Sequence, residues 1–333
     1  MAAARILKAT AIALIAASGV AAAAGFATAA WAQAPFPSKP IQMIVPYTPG
    51  GASDLTIRAL AKAAEPALGQ SVVVVNRPAG GGAVAMQEVA KAEPDGHTLV
   101  NFTAILAAIA PHMRQLPFDP LKDFAPVMLY GAFNTFVAVR TDSPYRKLDD
   151  LIEYARKNPR VVTVGISVIG ASSHLGMARL ANEAKAQVTF VPFGGGAPAI
   201  TALLGRHITS AVTSGEVLPQ VAAGEVRLLA TLMAERIKEL PDVPTVRELG
   251  FPWAMNSWLG IAGPPGLPEP VSKKLQDAFL GAMNDETFKK VMVDLAMGTL
   301  RGDAAAARKA LNDDFASFGD LIKELKLGRY APN

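Results

Sequence analysis

The sequence predicts a two-lobed α/β protein in which each lobe is a mostly parallel sheet flanked by helices and a ligand cleft lies between the lobes. Three observations carry that prediction. Short β-branched runs alternate along the chain with amphipathic helical stretches, the pattern of strands joined by crossover helices. The chain has 333 residues, and the roughly 300 left after an N-terminal leader exceed what a single core usually holds. Three Gly/Ser-rich segments stand where a predicted strand ends and a helix begins, the place where backbone N–H groups face a ligand.

The elements follow in order. Residues 1–8 carry Arg5 and Lys8 and no acid, 9–30 form an Ala-rich apolar run, and Ala30-Trp31-Ala32 supplies small residues for cleavage. This is the order of a secretory signal peptide over 1–32, cut after Ala32. An uncleaved anchor is the competing reading, since the apolar run is long enough to span a bilayer. Strands are expected at 41–47, 72–76 and 98–102, separated by a helix over 55–68 that Gly69 ends and a second helix over 83–92. A strand at 136–140 and a helix over 148–158, stopped by Pro159, precede strands at 161–165, 187–191, 208–212 and 228–232. After a strand at 258–262, the run Gly263-Pro264-Pro265-Gly266-Leu267-Pro268 turns the chain into helices over 270–283 and 304–325. A chain that leaves the first lobe near Phe136 and re-enters it near Leu259 makes lobe 1 from 33–137 and 259–333, and lobe 2 from 138–258. Two such crossings form a hinge.

Composition excludes several classes of function. With no cysteine there is no disulfide framework, thiol nucleophile, Cys-ligated metal or lipid-modified N-terminal cysteine. Removing the leader takes away two basic residues and no acid, so the charge of +4 falls to +2. No basic cluster is left for nucleic acid. The histidines at 97, 112, 174 and 207 are scattered, without a carboxylate or second histidine at metal or triad spacing. No metal, no other cofactor and no catalytic residue is expected.

The chemistry rests on the three loops. In the first, Tyr47-Thr48-Pro49-Gly50-Gly51-Ala52-Ser53-Asp54, two glycines let the backbone approach a ligand while the following helix points its positive end at the same place. Positive φ is expected to include Gly51, where a β-branched residue would obstruct the site. Asp54 serves as a helix cap or as a ligand contact, and Arg58, one turn along, is given no part. In the second, Gly170-Ala171-Ser172-Ser173-His174, hydroxyls and free N–H groups at a helix start suit a carboxylate, with plain capping as the alternative and His174 read as structural. In the third, Phe193-Gly194-Gly195-Gly196-Ala197, consecutive glycines before a helix make a backbone nest for an anion or a flexible turn.

At these residues the chain resembles a known family, the substrate-binding components of tripartite tricarboxylate transporters, or Bug family of periplasmic receptors. The matching strings are VPYTPGGASD, VVNRPAGGGAV, PDGHTL, GASSHL, VPFGGGAPA, DVPTVRELG and GIAGPPGLPEPVSKKL. The resemblance implies the periplasmic-binding-protein fold, a ligand carboxylate held by the first two loops with ordered water, and no catalysis. Carried over by position, the contacts fall on Tyr47 to Asp54, Gly170 to His174 and Phe193 to Ala197, with Thr103 at the end of the strand after PDGHTL. Two departures stand out. Gly194 replaces a lysine common in the family's third motif, and Ile105 and Leu106 follow Thr103 where small polar residues are usual. Both favour a monocarboxylate, or an acid with an apolar or aromatic body, over citrate, unless Ile105 and Leu106 face the core.

The function expected is therefore capture of a small organic carboxylate by a monomeric periplasmic protein and delivery to integral-membrane transporter subunits. Presentation of the ligand to a membrane sensor kinase is the alternative that uses the same surface. An exported serine hydrolase built on Ser172 or Ser173 is disfavoured, because Gly170-Ala171-Ser172-Ser173-His174 lacks the closing glycine of a nucleophile elbow.

Overall fold

A computed structural model describes residues 36–167, 169–255 and 257–331. The leader over 1–32 and its cleavage point lie outside the described residues. Two compact units are distinguished, residues 1–38 and residues 39–333, and every element below belongs to the second.

Strand β1 (Ile41–Val45) is buried on both faces, as a central parallel strand must be. Gly51 starts helix α1 (Ala52–Leu68), which buries Ile57, Leu60, Ala61, Ala64 and Leu68 at helical spacing and ends at Gly69 with φ 72°. Strand β2 (Val72–Asn76) leads through a glycine turn into α2 (Ala83–Ala90), and β3 (Thr98–Thr103) into a π-helical turn, Ile105–Ile109, that continues as α3 (Ala110–Met113). Strand β4 (Ala125–Phe133) is followed by β5 (Phe136–Arg140), α4 (Leu148–Lys157), β6 (Thr163–Ile166), α5 (Ser172–Glu183) and β7 (Thr189–Pro192). Next come α6 (Gly196–Leu204), β8 (Ser210–Thr213), α7 (Leu218–Ala222) and β9 (Val226–Thr231). The chain closes with β10 (Trp258–Gly263), α8 (Glu269–Ala282), α9 (Glu286–Asp294), β11 (Met297–Gly302) and α10 (Ala304–Glu324).

The strands form two sheets, in the orders β11-β4-β10-β3-β1-β2 and β7-β6-β8-β5-β9. Both are mixed. The parallel character expected from the sequence is confined to β2-β1-β3 and β7-β6-β8. Strands that carry the chain between sheets, or re-enter beside β3 without a crossover helix, pair antiparallel. Strands β4 and β11 had no counterpart in the sequence reading: Pro126 and Gly131 interrupt the one, and glycines occupy two of the six positions of the other.

The chain passes from the first sheet to the second through Asn134–Thr135 and returns ahead of Trp258. These crossings are tied together, Phe133 N donating to Ser257 O at 2.9 Å and Leu232 N to Thr135 O at 2.9 Å. Helix α10 also spans both sheets. Its Ala307 and Leu311 pack with Ile44, Phe102 and Trp258. Phe318, Leu321 and Ile322, further along the same stripe, pack with Val139, Leu151 and Leu229.

Candidate functional site

The segments after β1 and β6 fold into the same small device. Gly50 has φ 81° and Gly170 φ 84°. The next residue, Gly51 or Ala171, is extended and caps the helix. The third residue into each helix then turns an acceptor back: Gly50 N donates to Asp54 Oδ2 at 2.9 Å, and Gly170 N to His174 Nδ1 at 3.1 Å. In both helices the second residue is a serine, Ser53 or Ser173. The N–H groups of the first turn have no acceptor within the helix and carry the positive end of the helix dipole, so each device is a socket lined by donors. Positive φ sits on Gly50, while Gly51 has φ −75° and a Cβ there would meet nothing closer than Thr48 O at 3.8 Å. The sequence expectation for Gly51 is corrected accordingly.

Asp54 organises the first loop. Besides Gly50 N, its carboxylate accepts from Arg58 Nε at 2.9 Å and from Asn76 Nδ2 at 2.8 Å. Burial pushes this carboxyl up, but the bonds from Arg58, Gly50 and Asn76 outweigh it and hold it below the usual carboxylate range. Arg58, given no part by the sequence reading, is thus bound into the loop, and its Nη2 also donates to Asn76 Oδ1 at 2.7 Å. Asn76 Nδ2 in turn donates to Tyr47 O at 3.0 Å. The Tyr47 hydroxyl pairs with Thr103 Oγ1 at 2.7 Å, and burial pushes the phenol up to about 12 against the effect of that bond. Tyr47 is therefore neutral, while Thr48, Pro49 and Gly50 lie at the surface.

In the second loop Ser172, Ser173 and His174 are buried. Ser172 Oγ donates to Ser257 Oγ of the return crossing at 3.4 Å, and the Ser173 and Ser167 hydroxyls are 3.2 Å apart. Burial pushes His174 down to about 4, so its ring is neutral, with Nδ1 accepting and the proton on Nε2. Its edge meets Phe190 at a centroid distance of 4.6 Å. Among the described residues no hydrogen bond joins His174 to Ser172 or Ser173, and so acidic an imidazolium leaves a poor base at neutral pH.

The third loop joins the second through Phe193 N to Ile166 O at 3.0 Å and Gly194 N to Ser167 O at 2.8 Å. Its helix start differs from the other two. Gly194 has φ 75°, but Pro198 stands at the third helical position and cannot accept. A Cβ at Gly196 would overlap the carboxylate of Glu216, whose Oε1 accepts from Thr213 Oγ1 at 2.7 Å. The Glu216 side chain thus already lies beside Gly196. The Phe193 ring packs on the core of the second sheet.

Contacts bring the first two loops into one neighbourhood. A Cβ at Gly82 would lie 2.9 Å from Pro46 Cβ and 2.8 Å from Leu106 Cδ1, and one at Gly170 would lie 2.9 Å from Met113 Cε. The π-helical segment therefore adjoins the first loop while its continuation touches the second. Leu106 belongs to the core and Ile105 is half-buried, which removes Leu106 from the argument about ligand polarity. A cavity of 1180 Å³ lies elsewhere, lined by Met233, Ile237, Phe288 and Met297. It shares only Asn134 and Ser257 of the crossings with this region and contains none of the loop residues. Among the described residues no group of three His, Cys, Asp or Glu could hold a metal ion, and no helix is long and apolar enough to cross a membrane.

Sequence reasoning missed Asn76, Asn101, Tyr130 and Glu216. The first two were visible as asparagines, poor strand formers, within the strands VVVVN and TLVNFT.

The profile of the family described as tripartite tricarboxylate transporter family receptor matches residues 56–327. A UPF0065 protein of Bordetella pertussis (strain Tohama I) is 33% identical over 297 residues, covering 88% of this chain and 91% of that protein. The periplasmic binding protein BugD superposes with a TM-score of 0.73 at 29% identity, over 88% of this chain and 99% of its own. MatC from Rhodopseudomonas palustris with bound malate gives 0.73 at 27%, over 86% and 100%. A second R. palustris protein, with adipate, gives 0.76 at 26%, over 88% and 99%.

Proposed function

This chain belongs to the tripartite tricarboxylate transporter family of receptors, periplasmic solute-binding proteins rather than enzymes, and we propose that it captures a small organic carboxylate between its two sheets and hands it to the transporter's membrane subunits. The observation that carries this reading is the pair of matched helix starts, Gly50 to Asp54 and Gly170 to His174, one beside each sheet. Each offers N–H donors and positive dipole to an anion. Malate and adipate in the two R. palustris structures are acids of the same class.

On this reading the ligand contacts fall on the first two loops, with Thr103 beside Tyr47. The lobes, 33–137 with 259–333 and 138–258, close over it about the bonded crossings. The third loop, with Gly194 in place of lysine and Glu216 beside Gly196, repels further negative charge, so acids with an apolar body bind better than citrate. The protein acts as a monomer after losing its leader. Intact mass of periplasmic protein should begin close to Gln33; full-length chain held in the membrane would sink the export reading.

The test is a thermal-shift screen of the exported protein against malate, adipate, benzoate and citrate. A ligand at 100 times its Kd adds about 2.7 kcal/mol of stability, so a binding acid raises the melting temperature clearly. No shift with any carboxylate would overturn the reading.

A further inference from the structure

Beneath the first loop lies a polar chain inside the first sheet. Tyr130 on β4 and Asn101 on β3 are both fully buried, and Ser53, in the first turn of α1, is 5% exposed. Tyr130 Oη is 2.9 Å from Asn101 Oδ1, and Asn101 Nδ2 is 3.2 Å from both Ser53 O and Ser53 Oγ.

The orientation of the Asn101 amide in this chain is fixed by one atom. Ser53 O is a backbone carbonyl and can only accept, so the amide edge facing Ser53 must be the NH2 group. Asn101 Oδ1 then faces Tyr130, whose hydroxyl has two acceptors to donate to, Asn101 Oδ1 and the Thr56 side chain on α1. The Ser53 hydroxyl receives an amide hydrogen on its oxygen, and its own hydrogen must point elsewhere. Among the described residues the Ser53 hydroxyl accepts from Asn101 Nδ2 and donates no hydrogen bond. Ser173, at the matching position of α5, differs: its partner is another hydroxyl, Ser167, and either can donate.

We propose that Tyr130 and Asn101 are positioning residues for ligand binding, a buried relay that turns Ser53 into an obligate donor aimed at the anion held by the first loop. The inference rests on the carboxylate reading above. It gives the first socket a polarity that backbone N–H groups alone share but cannot enforce at a rotatable hydroxyl: an acceptor atom is held, and a donor atom at that place meets the Ser53 hydrogen head-on. A purely structural role, pinning α1 to the sheet, is the competing account. It predicts lost stability in Tyr130→Phe without any link between Tyr130 and ligand affinity through Ser53.

The experiment is a double-mutant cycle read by calorimetry on the exported protein, titrated with malate, adipate and benzoate, using Ser53→Ala, Tyr130→Phe and the double variant. Ser53→Ala should lower affinity about tenfold, the loss of one hydrogen bond to a charged group. Tyr130→Phe, which leaves Asn101 Oδ1 without its donor and so loosens the amide that Ser53 O orients, should lower it several-fold. The double variant should bind no worse than Ser53→Ala alone, because Tyr130 acts only through Ser53. Ser53→Thr, which keeps the hydroxyl, should retain most of the affinity. Independent, additive losses, or a Tyr130→Phe protein with lower melting temperature and unchanged affinity, would overturn the relay while leaving the receptor reading intact. Failure of wild type to bind any of the three acids would overturn both, and is seen before any variant is compared.

Discussion

Asp54→Asn tests how the first loop is built. The carboxylate receives Gly50 N at 2.9 Å, Arg58 Nε at 2.9 and 3.0 Å and Asn76 Nδ2 at 2.8 Å, and its side chain is only 2% exposed. Every neighbour is a donor, so an asparagine NH2 must face one of them wherever it turns. Hydrogen bonds to a charged group are worth about 1.5 to 3 kcal/mol each, and a buried group left unsatisfied costs about as much. Arg58 is 43% exposed, so its share is discounted for solvent screening. The expected cost is about 3 kcal/mol at neutral pH, a drop in melting temperature on the order of 5 to 10 °C. Arg58→Ala should cost less, about 1 kcal/mol, since Gly50 and Asn76 remain. The pH dependence has a definite sign. Asp54 is held below its ordinary value, so its contribution is present above about pH 4 and fades as pH falls through the lowered folded value. The gap between wild type and Asp54→Asn should therefore narrow in acid. Urea and thermal melts at pH 7 and pH 3 read both effects, and an Asp54→Asn protein that melts within a degree of wild type at pH 7 would refute the reasoning.

Other consequences follow from neighbouring groups. His174 sits near 4 in the folded protein against about 6.5 unfolded, so the unfolded chain takes up a proton first and stability should fall as pH drops from 6.5 towards 4. His174→Asn, which keeps an acceptor for Gly170 N, should lose part of that slope in urea midpoints, the rest belonging to His112, also lowered by burial; an unchanged slope would contradict the assignment. Gly82 has φ 87° and no room for a Cβ beside Pro46 and Leu106, whereas Gly51 has space and φ −75°. Gly82→Ala should lower the melting temperature well below that of Gly51→Ala, and equal effects would contradict the geometry. Glu216→Gln removes the negative charge beside the third loop, so calorimetry should find tighter adipate and citrate binding with benzoate little changed; equal gains for all three would mean that the charge does not discriminate.

What was legible in the sequence is what local chemistry dictates. The α1 helix ends at Gly69 as expected, because only a residue tolerant of φ 72° closes it there, and β2 and β5 stand at the residues their β-branched runs mark. The three loops could be read because glycines at strand ends have few other uses. What was not legible depends on pairing at long range. The sequence cannot say which glycine of Gly50-Gly51 takes positive φ, since that follows from Asp54 pulling on Gly50 N. The i,i+4 pair of Asp54 and Arg58 was open to reading, but the bridge from Arg58 to Asn76, on a strand 18 residues on, was not. Strand β4 escaped because its order comes from burial between β10 and β11 and not from its own propensities.

The same distinction separates the class of ligand from its identity. The matched sockets are made of backbone, and backbone N–H groups recognise a negative oxygen without regard to what carries it. Their sequence trace is a spacing, Gly50 to Asp54 and Gly170 to His174, with serine just before the acceptor in each. On the proposed reading, what lies beyond the carboxylate meets side chains that owe nothing to that spacing: Tyr47 and Thr103 paired at 2.7 Å, Ile105 half-buried after β3, and Glu216 beside Gly196. These come from three different stretches of chain, and their side chains can change without altering the Gly50–Asp54 or Gly170–His174 spacing. On the carboxylate reading proposed above, ligand choice in this chain is to be sought at Ile105 and Glu216.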